Sequence, residues 1–287
     1  MNRGEVAEKL VKAGLLGAAL ISVAVLLIVV AYIVLKGVGT INLEFLTQAQ
    51  YRFGRGGGIF PQIIGSLGLV GVCLLFAVPL GVASAIYLAE YAPNNLVTES
   101  VRFFVACLAG IPSIVIGLFG LVFLVYYLHL GVSLLSGGLA LGFMILPWTV
   151  RASEEAIKAV PQSYREASLA LGVTKLQTIR RIVLKSAYPG IITGVLLGTG
   201  KAIGETAVVL LTAGSGLESF LPRSIFDPVA SLPVYVYLLA TTGNTSEQLE
   251  RAFGASLVLI TLFLLMSIFA LVLRDRYFKR MRGRGGG

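Results

Sequence analysis

Charged side chains are scarce in this chain of 287 residues, because Asp, Glu, Lys and Arg together make up only 13% of it. Soluble globular domains carry about 25% charged residues. Hydrophobic residues make up 56% of the chain instead, and the mean hydropathy is +0.89. This balance excludes an ordinary soluble domain and predicts an integral membrane protein.

Cysteine and histidine are scarcer still, with only Cys73, Cys107 and His129 in the whole chain. Both cysteines lie inside apolar runs and have no metal or redox spacing, so we predict that they only pack. A single histidine builds neither a zinc site nor a catalytic triad. We therefore predict no metal site, no cofactor and no catalytic residues.

A nucleotide-binding motif is missing as well. The segment Gly198-Thr199-Gly200-Lys201 briefly resembles a phosphate-binding loop. That motif requires glycine where Val195 stands and Ser or Thr where Ala202 stands. We therefore predict that the chain is not an enzyme and does not hydrolyse ATP by itself.

Six apolar runs are long enough to cross a bilayer, which requires about 20 residues. They are residues 14–35, 63–89, 103–128, 130–150, 190–213 and 253–273. The first run exceeds the roughly 7–15 apolar residues of a secretory signal, so we expect it to be retained as a helix. Only His129 separates the third run from the fourth, and a tight turn is predicted near Gly131. The predicted fold is an all-α membrane protein with six transmembrane helices.

Lys and Arg are distributed unevenly between the segments that join these runs. With the N-terminus inside, 17 of them fall on the cytoplasmic side and five fall outside, which is the bias typical of membrane proteins. We therefore expect both termini to be cytoplasmic. The expected segments are a cytoplasmic N-terminus (1–13), an external loop (36–62), a core (63–273) with a cytoplasmic loop (151–189), and a basic tail (274–287). The same bias accounts for the net charge of +9 without nucleic acid as a partner.

Two segments on the predicted outer side stand out. Residues 54–58 contain four glycines and one arginine, which predicts a flexible loop before the second span. Residues 231–237 alternate enough in polarity that we expect them to lie at the membrane interface.

The cytoplasmic stretch 163–189 is polar and basic, and it contains two capping-box patterns. Ser163 with Glu166, and Thr174 with Gln177, each place a hydroxyl three residues before a Glu or Gln. Gly172 can supply the left-handed residue that ends the first helix after Leu171. The sequence therefore predicts two short capped helices, the second ending at Pro189.

The first of these helices has a face that favours a partner. A helix of about eight residues is marginal in water. Its residues at spacings i, i+3, i+4 and i+7 are Tyr164, Ala167, Ser168 and Leu171. A docking surface is the functional interpretation of this face, and an ordinary solvated loop is the alternative.

Only the fifth run contains charges, at Lys201 and Glu205. At 1.5 Å per residue Lys201 lies about 16 Å past Gly190, near the bilayer centre, where a charge is costly. The spacing i, i+4 places both charges on one helix face, so an internal ion pair that only locks the bundle is one interpretation. The other is an anion site, in which Thr199, Thr206 and three glycines surround the ammonium group.

Several of these segments resemble a known family. Glu166-Ala167-Ser168 with Gly172 and Tyr188-Pro189 is similar to the cytoplasmic E-A-A…G loop of binding-protein-dependent ABC importer permeases. Residues 108–120 and 202–207 resemble the phosphate-specific permeases, and Leu232-Pro233-Val234-Tyr235 favours their PstA-type subunit. The family usually has arginine at the position of Lys201, and lysine keeps the charge without the bidentate fork.

The resemblance implies a type I ABC importer permease fold in the cell (inner or plasma) membrane. It implies a dimer of PstB-type ATPase subunits, a PstC-type second permease and an external PstS-type phosphate-binding protein as partners, with phosphate as substrate. The residues that it assigns to ATPase coupling are Ser163, Tyr164, Glu166, Ala167, Leu171 and Gly172. The residues that we assign to the substrate pathway are Lys201, Glu205, Thr199 and Thr206.

Three alternatives stay open on the sequence. The substrate could be another oxyanion, such as sulfate, molybdate or phosphonate. The chain could instead be an ion-coupled secondary transporter with Lys201 and Glu205 as a proton relay, although we find no internal symmetry of the kind that such carriers show. A membrane receptor or scaffold is the third, and it leaves the charges in the fifth run unexplained.

Overall fold

The computed structural model of the protein describes residues 3–283, so Met1, Asn2 and the last four residues of the predicted basic tail, including Arg284, lie outside it. Almost all of the secondary structure is helical. The helices are α1 (Arg3–Gly37), α2 (Leu43–Thr47), α3 (Phe60–Ile86), α4 (Leu96–Ala109), α5 (Ser113–Gly120), α6 (Leu134–Lys158), α7 (Gln162–Ala170), α8 (Lys175–Thr178), α9 (Leu184–Ile203), α10 (Ala207–Thr212), α11 (Leu232–Thr242) and α12 (Ser246–Gly283). Three π-helical turns, at Tyr87–Tyr91, Leu121–Tyr127 and Ile179–Val183, and a 3₁₀ turn at Val38–Thr40 continue or join them.

Within residues 3–283, five helical segments are long and apolar enough to cross a membrane, and there are six if the bent pair α4–α5 counts as one span. This confirms the prediction of an all-α membrane protein. The tight turn predicted before the fourth span is also present, because His129 and Gly131 both have positive φ angles shortly before α6 begins.

The centre of the bundle is built on α6, which packs between α3 and α9. Small residues allow these helices to approach closely, as is common in membrane proteins. A Cβ atom on Gly194 of α9 would collide with Ala152 of α6, and one on Gly142 of α6 would lie 2.7 Å from the ring of Phe76 in α3. The core therefore depends on contacts close to the helix backbones.

The first and last long helices pair with each other at the edge of the bundle. Tyr32 of α1 meets Phe253 of α12 edge to face, with ring centroids 5.5 Å apart. A Cβ atom on Gly37 would lie 2.6 Å from the carbonyl oxygen of Phe253. The most apolar stretch of α1 is otherwise exposed in the single chain.

The third predicted run, 103–128, is not one straight span. Helix α4 ends at Ala109, and α5 begins at Ser113 after a bend of 98°. Pro112 lacks an amide hydrogen and cannot continue the helical hydrogen bonds, and it stands as the N-cap of α5. The run that we predicted as one span therefore consists of two helices joined at a sharp bend.

The fifth predicted run, 190–213, is also wrong in its boundaries. The helix begins at Lys175 and continues through the π turn Ile179–Val183 into α9, so Pro189 lies inside a helix and does not end one. It then stops at Ile203, and α10 begins only at Ala207. Non-helical backbone between helices at membrane depth is tolerated where protein or a water-filled cavity surrounds it.

The glycine-rich segment 54–58 is packed into the protein, in contrast to the flexible loop that we predicted. It forms a short antiparallel hairpin, in which β1 (Gln50–Tyr51) pairs with β2 (Gly56–Gly57). The Arg251 side chain donates a hydrogen bond of 2.6 Å to the carbonyl oxygen of Gly57. These buried positions require glycine because a Cβ atom would collide with neighbouring groups, as at Gly58, where it would lie 2.5 Å from the Phe45 carbonyl oxygen.

Residues 231–237 are mostly buried in the protein, in contrast to the exposed interfacial segment that we predicted. They begin α11, where Leu232, Val234 and Tyr235 are fully buried. Ser66 of α3 accepts a hydrogen bond from the Leu232 amide at 2.9 Å, which satisfies the helix start inside the protein. The pattern of polarity in residues 231–237 therefore belongs to a segment that is covered by protein on most sides.

Candidate functional site

Helix α7 of the loop 151–189 does not begin with the predicted capping box. Its N-cap is Pro161, and no side-chain hydrogen bond caps this end. Ser163 and Glu166 therefore lie inside the helix, and both are exposed. The prediction is wrong because Pro161 already fixes an extended backbone conformation before Gln162, which starts the helix two residues early.

The end of α7 agrees with the prediction for Gly172. Gly172 has φ of +76°, and its amide donates to the Leu169 carbonyl at 2.9 Å. The Val173 amide donates to the Ser168 carbonyl at 3.4 Å. These two bonds form a Schellman motif, which satisfies carbonyl groups at the helix end.

The second capping box is present at α8. The Thr174 hydroxyl accepts from the Gln177 amide, and the Gln177 side chain accepts from the Thr174 amide, both at 3.4 Å. Ser168 and Thr178 share a buried hydroxyl–hydroxyl hydrogen bond of 2.9 Å that joins α7 to α8. The two short helices therefore form one unit.

Apolar side chains remain exposed on this unit. Leu171 is 83% exposed, Leu176 is 66% exposed and Tyr164 is 52% exposed. Ala167 is exposed as well, whereas Ser168 is turned inward. Of the face predicted to dock a partner, only Ser168 is covered by the chain itself.

Sequence reasoning missed Arg165 and Glu90. We counted Arg165 only as one of many cytoplasmic charges, yet it forms a buried ion pair with Glu90 at the end of the second span, with a closest distance of 2.7 Å. A carboxylate placed at the end of an otherwise apolar span was the available signal.

Lys201 lies in the last turn of α9 and is exposed in the single chain. Its ammonium group lies over the Trp148 ring of α6, with Nζ 5.1 Å from the ring centroid. Cations are attracted to aromatic faces, and a lysine is also favourable at the negative end of a helix dipole. The structure shows no ion pair within 4 Å between Lys201 and Glu205.

Glu205 belongs to the break between α9 and α10 and therefore does not lie one helical turn above Lys201 on a continuous helix. Its carboxylate interacts with Ser113, the first residue of α5. The breaks in the third and fifth predicted runs are therefore neighbours, and the half-buried Glu205 connects them.

The two threonines of the predicted pathway differ. Thr206 is half-buried at the break near Glu205. Thr199 is 5% exposed, and its hydroxyl donates to the Val195 carbonyl at 2.8 Å, so it faces the interior of this chain. The structure places Lys201, Glu205 and Thr206 near one break and turns Thr199 away from the exposed surface.

No cluster of three or more His, Cys, Asp or Glu side chains that could hold a metal ion occurs in the part of the chain that the structure describes.

Comparison with known proteins places the chain in a family. Residues 77–283 match the model of the binding-protein-dependent transport system inner membrane component. The chain is 36% identical to the probable ABC transporter permease protein YqgI of Bacillus subtilis, over 98% of this chain and 99% of that protein. It is 36% identical to the phosphate transport system permease protein PstA of Xylella fastidiosa, over 84% of each chain. It is 40% identical to PstA 1 of Mycobacterium tuberculosis, over 79% of this chain and 72% of that protein.

Solved structures agree on the fold. A bacterial ABC transporter that imports the acidic polysaccharide alginate matches with a TM-score of 0.66 at 16% identity, over 95% of this chain and 99% of that one. The MetNI methionine ABC transporter matches with a TM-score of 0.60 at 18% identity, over 77% of this chain and 95% of that one.

These matches confirm the type I ABC importer permease fold and a multi-pass protein of the inner membrane. The chain belongs to the family of binding-protein-dependent transport system inner membrane components, the permease subunits of ABC importers.

Proposed function

We propose that this chain is the permease subunit of an ATP-driven importer of inorganic phosphate. The observation that carries the proposal is its identity of 34–40% to phosphate transport system permeases over most of its length. ATP is hydrolysed by a dimer of separate PstB-type ATPase subunits. A PstC-type permease completes the pathway, and an external PstS-type protein delivers phosphate.

The proposed orientation places both termini and the loop 151–189 in the cytoplasm. The excess of Lys and Arg on that side supports it. Reporter proteins fused after Lys158 and near Arg223 should report cytoplasm and exterior respectively. A cytoplasmic signal near Arg223 would refute this topology.

In the proposed mechanism α7 docks on the ATPase subunits. Its uncovered apolar side chains Tyr164 and Leu171 support this role, because a short helix gains stability when its apolar face is buried. Gly172 ends the helix and turns the chain towards α8, while Ser163, Glu166 and Ala167 provide exposed positions along the same contact.

Lys201 is proposed to attract phosphate within the pathway. An exposed ammonium in an otherwise apolar span is costly unless it faces a pathway or a partner. Glu205 and Thr206 stand at the adjacent break, where the carboxylate opposes tight retention of an anion. A transport site must bind its substrate weakly enough to release it.

The test is to reconstitute the chain in vesicles with the PstC-type permease, the PstB-type ATPase and the PstS-type binding protein. Phosphate uptake should require ATP and all four proteins, and excess sulfate or molybdate should not compete. Uptake of sulfate or molybdate in preference to phosphate would refute the substrate assignment, and uptake without ATPase subunits would refute the mechanism.

A further inference from the structure

One arginine of α7 joins three separate parts of the chain. Arg165 Nε and Nη2 donate to Glu90 Oε1 at 3.0 and 2.7 Å. Its Nη1 also donates to the Val160 carbonyl at 2.6 Å, and its Nη2 donates to the Ile157 carbonyl at 2.9 Å. The side chains of Arg165 and Glu90 are only 14% and 7% exposed. Four charge-assisted hydrogen bonds on a buried guanidinium hold it in one geometry.

Glu90 belongs to the π-helical turn Tyr87–Tyr91, which continues α3 at its inner end. Such turns are frequent at functional sites. A second link reaches the same turn from α8, because Lys175 Nζ lies 4.8 Å from the centroid of the Tyr91 ring. The unit of α7 and α8 therefore holds the end of α3 from two directions.

The other two acceptors of Arg165 belong to the end of α6 and the residues that follow it. Ile157 lies in the last turn of α6, and Val160 follows it before α7 begins. The same helix α6 carries Trp148, which contacts the ammonium group of Lys201. Arg165 therefore contacts both the turn that continues α3 and the end of α6, the helix that leads to the proposed pathway.

We propose that the Arg165–Glu90 pair is a positioning pair that couples movement of α7 to the inner ends of α3 and α6. This inference rests on the proposed docking of α7 on the ATPase subunits. A hydrophobic contact could hold α7 in place, but only the guanidinium fork makes α7, α3 and α6 share one set of hydrogen bonds.

A second buried ion pair provides a matched control. Glu154 of α6 is 9% exposed at its side chain and pairs with Arg102 at 2.7 Å and with Lys158 at 2.6 Å. This cluster links α4 to α6 and includes no residue of α7, although Arg102 Nη2 also donates to the Leu88 carbonyl of the π turn at 2.8 Å. Loss of Glu154 therefore removes a partly buried ion pair near the same turn and leaves every contact of α7 in place.

The experiment uses the full complex of both permeases, ATPase subunits and binding protein in vesicles, with inorganic phosphate as the probe. Phosphate moved per ATP hydrolysed is measured for Glu90→Gln, Arg165→Gln, the double variant and Glu154→Gln. We expect each single variant at the pair to lower this ratio by roughly tenfold in complexes that still assemble. The double variant should be no worse than either single variant, because the two residues act through one interaction.

Arg165→Lys distinguishes geometry from charge. Lysine retains the charge but cannot make four bonds to the three acceptors, so the ratio should fall between those of wild type and Arg165→Gln. An unchanged ratio in Glu90→Gln would overturn the proposal. Losses that multiply in the double variant, or an equal loss in Glu154→Gln, would also overturn it, since either result indicates general destabilisation.

A second readout does not depend on the substrate. Amide hydrogen exchange at residues 87–91 should slow when ATPase subunits bind the wild-type chain and should respond much less in Glu90→Gln. Equal slowing in both would refute the connection. Failure of the proposed phosphate function would instead appear in the wild-type complex, as absence of ATP-dependent phosphate uptake.

Discussion

Gly172 offers a sharp test of whether the shape of α7 matters for ATPase coupling. Its φ of +76° is strained for any side chain with a Cβ atom, and β-branched residues tolerate it least. No atom lies within 4 Å of the position that a Cβ would occupy, so a substitution meets no steric obstacle from neighbouring groups. The cost of a replacement is therefore confined to the backbone.

That cost can be estimated for Gly172→Val. A left-handed residue that is not glycine costs about 1–2 kcal/mol, and strained residues reach about 3 kcal/mol. The variant can avoid the strain only by giving up the Schellman bonds at 2.9 and 3.4 Å, each worth about 1 kcal/mol. A cost of about 2 kcal/mol shifts the equilibrium constant between the docking-competent and the distorted conformation roughly thirtyfold towards the distorted one.

The assay compares Gly172→Val with Gly172→Asn, because asparagine tolerates the left-handed conformation. Affinity for purified ATPase subunits and phosphate uptake are measured in membranes that contain equal amounts of each variant. We expect Gly172→Val to weaken ATPase binding by up to about thirtyfold and to lower uptake accordingly, with Gly172→Asn close to wild type. Wild-type binding and transport by Gly172→Val would refute the role of this helix end.

Three other substitutions test neighbouring features. Glu166→Ala should leave the stability of α7 unchanged, because Glu166 is exposed and makes no capping bond. Any loss of uptake must then accompany weaker ATPase binding. Thermal unfolding measures the stability, and a pull-down measures the ATPase binding. Lys201→Met should lower phosphate uptake by about tenfold or more in assembled complexes. Adding Glu205→Leu should not restore uptake, since the Lys201 ammonium contacts Trp148 and forms no ion pair within 4 Å with Glu205. Recovery of uptake in the double variant would support a structural lock. Gly194→Leu should prevent stable folding, because even a Cβ atom there collides with Ala152, and detergent-solubilised yield at wild-type level would contradict this packing.

The sequence predicts those features that depend on local chemistry. Apolar run length locates the spans, and the Thr174–Gln177 box and the positive φ of Gly172 both appear in the structure. Hydropathy does not reveal the helix breaks at Pro112 and Gly204, because a hydropathy window records polarity and is insensitive to the direction of the backbone.

Features that depend on distant partners could not be predicted in the same way. Arg165 and Glu90 are separated by 75 residues, and no periodic pattern connects them. Tyrosine is a residue type common at membrane interfaces, and only the packing of α11 with α2 and α12 decides that Tyr235 is buried. Lys201 could be located from its charge, whereas its contact with Trp148 depends on how α6 and α9 pack.

The pairing of α1 with α12 has a consequence for how the protein is made. The first helix ends at Gly37, and the helix that covers one side of it begins only at Ser246. At about 5–20 residues per second, a nascent chain holds α1 in the membrane for on the order of 10–40 seconds before its partner is synthesised. During that interval the surface around Tyr32 and Gly37 is not covered by α12. A product that ends before α12 leaves the same surface of α1 open to lipid.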